Sequence, residues 1–169
     1  MKFRCSGTST GTINGIGMSL EVFFQGCRNN CVNCQNPDLQ SETGGYDYET
    51  DTILSELTKY SYFYHSIVFM GGEPCQQPQA LYSIAKHSNL INILYTGLYF
   101  NDIPENIKDV MHIIIDGPYI ESLKSNFPAS SNQKVYANWY KITNKQLYSF
   151  MQSHNLQEIN YYANRYNTQ

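Results

Sequence analysis

The sequence predicts an α/β fold: a mainly parallel sheet closed only in part, as an incomplete TIM-type β/α barrel. Four short runs rich in apolar and aromatic residues, at 19–24, 66–70, 90–94 and 111–115, are separated by stretches that include helical patterns. Each run is followed by a loop that carries glycine or cysteine. The 169 residues match the size of a single domain around one core, so 1–169 is expected to form one domain.

The first run, SLEVFF, reads as a strand that stops at Gln25-Gly26 and sets Cys27 at its C-terminal end. After the Gly44-Gly45 break, residues 48–60 place Ile53, Leu54 and Leu57 on one helical stripe, with Asp47 as the cap. SIVFM is a short strand ending in Gly71-Gly72, and 78–87 follows as a helix with Pro78 in its first turn. LINIL repeats the pattern and ends at Tyr95-Thr96-Gly97, after which 104–109 leaves room for a short helix only. MHIII is the next strand, ending at Asp116-Gly117-Pro118. Strands alternating with helices give a parallel sheet with right-handed crossovers, and ligands of such sheets bind beyond the C-terminal strand edge. All four loops fall at that edge, so one site is expected there. Beyond lie SSNQ at 130–133, a strand at 134–137, a helix at 144–154 carrying Leu147, Phe150 and Met151, and a frayed polar tail over 161–169. The 15 tyrosines are spread along the chain and read as amphipathic packing residues.

Composition excludes several classes. Charged residues are 15% and hydrophobic residues 41% of the chain, which describes a folded body with a largely uncharged polar surface. A net charge of −3, with no cluster of Lys and Arg, leaves no footprint for nucleic acid. No apolar run approaches the roughly 20 residues that span a bilayer. The opening MKFRCSGTSTGT has no signal-type apolar stretch, so a cytoplasmic protein without membrane association is expected.

The five cysteines are an odd number in a chain without an export signal, so reduced thiols are expected rather than a disulfide framework. Three of them crowd into CRNNCVNC, where one loop can aim Cys27, Cys31 and Cys34 at one point. Structural zinc is one reading, but it almost always takes four protein ligands, and only Cys5, Cys75 or His65 is available as the fourth. A [4Fe-4S] cluster held by three thiolates is the other, and it leaves one iron open to an outside ligand. Cys5 and Cys75 otherwise read as small buried apolar residues. In Gly71-Gly72-Glu73-Pro74, two glycines let backbone approach a ligand, and an acidic or carbonyl acceptor suits an ammonium group.

The Cys-x3-Cys-x2-Cys loop directly after a strand resembles the signature of radical S-adenosylmethionine (SAM) enzymes. GGEP is similar to the segment with which that superfamily holds the methionine ammonium. Asn14-Gly15-Ile16-Gly17, VFFQGCRNNCVNCQNP at 22–37, Tyr95-Thr96-Gly97 and IDGPYI at 115–120 followed by SSNQ resemble, in that order, the activating enzymes of anaerobic ribonucleoside-triphosphate reductase. The resemblance covers about residues 10–136. It implies a radical SAM core in which Cys27, Cys31 and Cys34 hold a [4Fe-4S] cluster whose open iron chelates SAM. One electron, from a donor such as flavodoxin, then cleaves SAM, and the 5'-deoxyadenosyl radical takes hydrogen from a glycine of the reductase. Gly71, Gly72 and Glu73 are implied at the SAM amino group, Thr96 and Gly97 near its ribose or carboxylate, and Asp116 beside the same site. Asn33 stands where many such loops carry an aromatic residue next to adenine. The thirty-odd residues after SSNQ exceed the usual family length, and docking the reductase, dimerising or covering the open sheet edge are the roles open to them. Two rival readings stand beside this one: a radical SAM enzyme acting on a small molecule, and a zinc-stapled binding module without catalysis.

Overall fold

The computed structural model describes residues 1–163. Eight strands form one sheet in the order β3-β1-β2-β4-β5-β6-β7-β8. They are β1 (Lys2–Gly11), β2 (Ser19–Phe24), β3 (Tyr46–Glu49), β4 (Ser66–Gly71), β5 (Ile91–Tyr95), β6 (Ile113–Asp116), β7 (Lys134–Asn138) and β8 (Asn160–Tyr162). The helices are α1 (Thr50–Lys59), α2 (Pro78–His87), α3 (Glu105–Val110) and α4 (Asn144–Ser153). The four strands expected from the apolar runs are the parallel centre, β2-β4-β5-β6. They read as continuous apolar runs because both of their faces are covered.

Side chains alternate between those faces. Ile67, Phe69, Leu94 and Ile114 point to one side, where Ile53 and Leu57 of α1, Leu81 and Ile84 of α2 and Ile107 of α3 pack on them. Val68, Ile93, Ile113 and Ile115 point to the other, where Leu147 and Phe150 of α4 and Ile16 of the β1–β2 loop complete a second core. α4 opens with a capping box, in which Thr143 and Gln146 satisfy each other's backbone N–H.

The flanks differ from the sequence expectation. β1 pairs antiparallel with β2, β3 antiparallel with β1, and β7 antiparallel with β6. β1 escaped the sequence pattern because KFRCSGTSTG is polar and half exposed, with little apolar surface to mark it. Residues 48–49 belong to β3 rather than to the first helix, and Asp47 pairs with Arg4 at 3.0 Å instead of capping α1. The expected polar tail is corrected at its start. Residues 160–162 are β8, which pairs with β7, and 164–169 lie outside the described residues. The segment after SSNQ therefore does cover the open sheet edge, through β8, and also packs α4 across one face. Among the described residues no helix is long and apolar enough to cross a membrane.

His112, just before β6, accepts the Asn92 N–H at Nδ1, 3.0 Å away. Burial, with Lys141 adding to it, lowers its pKa to about 4. Between that value and the ordinary one near 6.5, the unfolded chain binds a proton that the fold refuses, so stability falls as pH drops through this window. We predict that acidifying from pH 6.5 to 4 costs the metal-free protein on the order of 2–3 kcal/mol through this group. Thermal denaturation across that range should show the loss, and His112→Asn, which keeps an acceptor and cannot titrate, should flatten it.

Candidate active site

The cysteine loop is closed at its neck by backbone. Gly26 N–H donates to Leu39 O at 2.9 Å, and Cys27 N–H to Gln40 O at 3.0 Å. The buried Gln25 side chain reaches across the same neck to Asp38 O and Ser41 O, at 3.1 and 2.7 Å. Gln77, from the turn before α2, donates to Arg4 O and Gln25 O at 2.9 and 3.0 Å and accepts Arg4 N–H at 2.7 Å. Within the loop, Asn30 and Asn33 have φ of +48° and +55°. Asn tolerates this left-handed region better than most residues, and each of the two immediately precedes a cysteine, so the chain turns just before Cys31 and Cys34.

Cys27, Cys31 and Cys34 line one cavity of about 670 Å³. Gly71 and Gly72 after β4, and Thr96 and Gly97 after β5, line the same cavity. These seven of the expected site residues are thus brought together at the C-terminal edge of the parallel strands. Among the described residues no Asp, Glu, Lys or Arg side chain contributes to the wall; Asn14, Asn29, Gln133 and, from the end of α4, His154 do. The remaining three expected residues lie elsewhere. Asn33 is exposed and off the cavity wall, where its backbone makes the turn. Asp116 is buried behind the wall, accepting Phe100 N–H and Lys134 N–H at 2.7 and 3.0 Å; desolvation raises its pKa against these two bonds.

Glu73 is fully buried. Its Oε1 accepts Cys75 N–H at 2.9 Å and the Thr96 hydroxyl at 2.7 Å. Its Oε2 accepts Gly97 N–H at 2.8 Å and the Asn29 amide at 3.1 Å. One carboxylate therefore joins the cysteine loop to the loops after β4 and β5. The glycines before it are required by close approach. Gly71 has φ +111°, and a Cβ on Gly72 would sit 2.7 Å from Leu39 O and closer still to Gly26 O. The backbone there continues the β2–β4 contact, through Gly72 N–H to Phe24 O at 2.8 Å and Glu73 N–H to Gly26 O at 2.9 Å.

Burial raises the Cys27 thiol pKa, and Glu73, Cys31 and Cys34 nearby raise it further, against a backbone bond at Asn29. Binding a metal group must then draw a proton from it. Cys5 and Cys75 are buried apart from the cavity wall. Desolvation pushes Cys5 up to about 11 and raises Cys75 also, which keeps both as inert thiols. His65 precedes β4, at the strand ends opposite the cysteine loop. Neither these cysteines nor His65 serves as a fourth ligand. Among the described residues no group of three His, Cys, Asp or Glu side chains is spaced to hold a single metal ion. The donor set, three thiols on one cavity wall with no fourth Cys, fits a group that takes three thiolates and keeps one position for a ligand.

SSNQ braces the turn after β6. Gln133 donates to Gly117 O at 2.8 Å, and Asn132 to Pro118 O at 2.9 Å. Sequence reasoning missed Asn29, Gln25, Gln77 and His154. Asn29, Gln25 and Gln77 are ordinary polar residues whose partners stand far off in the chain, His154 bonds locally at Phe150 and reaches the cavity only through the packing of α4, and only the two Asn residues before the cysteines carried a local signal.

Residues 13–136 match the family described as 4Fe-4S single cluster domain. The chain is 38% identical over 82 residues to a pyruvate formate-lyase-activating enzyme of Clostridium pasteurianum, covering 46% of this chain and 34% of that one. It is 31% identical over 75 residues to the pyruvate formate-lyase 1-activating enzyme of Escherichia coli K12, covering 42% and 30%. The matches thus span about a third of the length of these relatives. An anaerobic ribonucleoside-triphosphate reductase-activating protein of Enterobacteria phage T4 is 28% identical over 141 residues, covering 75% of this chain and 88% of that one.

Gly72→Ala is predicted to force Leu39 and Gly26 apart at the neck of the cysteine loop. The expected cost is about 1–3 kcal/mol, as for overpacking, read as a Tm roughly 2–10 °C lower in thermal denaturation.

Proposed function

Because the chain belongs to the 4Fe-4S single cluster domain family, we propose that it is a radical SAM activase that makes a glycyl radical on a partner protein. The observation that carries this is the shared cavity: three thiols and the backbone of Gly71, Gly72 and Gly97 meet in one wall. Cys27, Cys31 and Cys34 would hold the [4Fe-4S] cluster, and the cavity beside them would take SAM. When bound, the reduced cluster supplies the electron that cleaves SAM and so provides an oxidant able to take hydrogen from a glycine. Membership in a cluster-binding family sets the zinc reading aside.

The chain's own residues have three tasks. The closed neck of the cysteine loop holds the thiols against the ends of β2 and β4. Gly71, Gly72 and Gly97 present backbone to the cavity, and their missing side chains let Phe24, Gly26, Leu39 and the Asn29 amide pack close behind it. Phe127, Ser153 and His154 close the wall from the C-terminal side, which limits water around a reactive species.

For the partner, the reading favours a glycine of anaerobic ribonucleoside-triphosphate reductase. Support comes from the phage T4 relative, most of whose length is matched, and from the order of YTG, IDGPYI and SSNQ. A flavodoxin-type protein is proposed as the electron donor on the family resemblance alone.

Cys27→Ala, Cys31→Ala and Cys34→Ala should each abolish visible absorbance and SAM cleavage in anaerobically reconstituted protein. Cys5→Ala and Cys75→Ala should retain both; retention in all three loop variants would refute the ligand assignment. Low-temperature electron paramagnetic resonance of the reduced protein with SAM and the reductase should show a glycyl-radical doublet on the reductase. A cluster signal that responds to SAM without that doublet would point to a different substrate.

A further inference from the structure

A carboxylate offers about four lone-pair sites, and the donors to Glu73 are Cys75 N–H, the Thr96 hydroxyl, Gly97 N–H and the Asn29 amide. The group is fully buried and does not line the cavity. It has no acceptor capacity left for the ammonium of a ligand. Of its four donors, Asn29 alone comes from the cysteine loop, midway between Cys27 and Cys31.

A second observation fixes where that amide sits. A Cβ on Gly97 would collide with Asn29 Nδ2, so the loop after β5 must be bare at this point for Asn29 to enter. The amide therefore fills the space a side chain at 97 would take and bonds to the same carboxylate oxygen as Gly97 N–H. With the neck closed by Gly26 and Cys27, the loop is tied at Cys27 by backbone and two residues later by Asn29.

We infer that Asn29 is a positioning residue: through Glu73 it locks the Cys27–Cys31 stretch to the loops after β4 and β5, and Glu73 is a brace of the site rather than the acceptor of the ligand's ammonium. The inference rests on the proposed SAM reading for what the site binds, but the Asn29–Glu73 tie itself does not depend on it. The ammonium must then meet other acceptors of the wall, and the arrangement of thiols and glycine loops is preset before any group binds.

A reciprocal exchange tests both halves. Asn29→Asp sets two carboxylates against each other, and Glu73→Gln puts an NH2 against Cys75 N–H or Gly97 N–H, whichever oxygen it replaces. The double variant Asn29→Asp/Glu73→Gln restores one donor and one acceptor between the two side chains, with the carboxylate moved to the cysteine loop. In metal-free protein, each single change is expected to lower Tm by roughly 4 °C or more, and the double variant to regain at least half of that. In reconstituted protein, SAM affinity, followed by the response of the reduced-cluster resonance to SAM, should fall about tenfold or more in each single variant and recover in the double. Asn29→Ala, which introduces no repulsion, should show the smaller loss in both readouts. Recovery of Tm with SAM affinity still as weak as in Glu73→Gln would mean that Glu73 touches the ligand, and would overturn the brace. Wild-type Tm and SAM response in both Asn29 variants would overturn the role of Asn29. If wild-type protein takes up a cluster yet never responds to SAM, the functional reading fails, while the Tm cycle still decides whether Asn29 and Glu73 are tied.

Discussion

A carboxylate taken wholly out of water has to be met by donors, and at Glu73 those donors come from three separate loops. Removing one donor would leave a buried anion short of a bond, which costs far more than an exposed hydrogen bond returns. The loops after β2, β4 and β5 are therefore joined at one carboxylate. This is why seven residues distant in sequence share a single cavity wall with no charged side chain among the described residues of that wall.

The brace works only because backbone is allowed to come close around it. Gly71 and Gly72 press against Phe24, Gly26 and Leu39, and Gly97 leaves room for the Asn29 amide. Any Cβ at these points would push the strand ends apart, and the carboxylate would lose its geometry. The cysteine loop is tied at its neck by backbone, and Asn30 and Asn33 turn the chain ahead of Cys31 and Cys34, where Cys34 N–H donates to Cys31 O at 3.2 Å. Within the loop the thiols meet backbone at Asn29, beside Cys27, and in a long contact from Asn36 N–H to Cys34 Sγ at 3.4 Å.

The second face of the sheet is completed by the C-terminal segment. Phe150 packs against Phe127 and His154, and α4 as a whole covers Val68, Ile93 and Ile115. β8 then occupies the edge of β7, which would otherwise present unpaired backbone. One end of α4 reaches the cavity, so the segment that finishes the core also finishes the site.

The parallel centre of the fold and the cysteine loop are legible in the residue pattern alone. Strands buried on both faces must be apolar throughout, which left β2, β4, β5 and β6 visible as runs, and the cysteine spacing is local, so CRNNCVNC marked a metal or cluster loop by itself. The YTG and GGEP segments were legible for the same reason: each is contiguous and follows a strand. The remaining features depend on contacts between distant segments. β1, β3 and β8 are flanking strands with little apolar surface, recognisable only through the partners they pair with. The likeness of GGEP to a SAM-holding segment implies Glu73 at the amino group. The neighbours of Glu73 in space are Asn29, Thr96 and Gly97, and a hydrogen bond between residues 44 positions apart leaves no trace in local pattern.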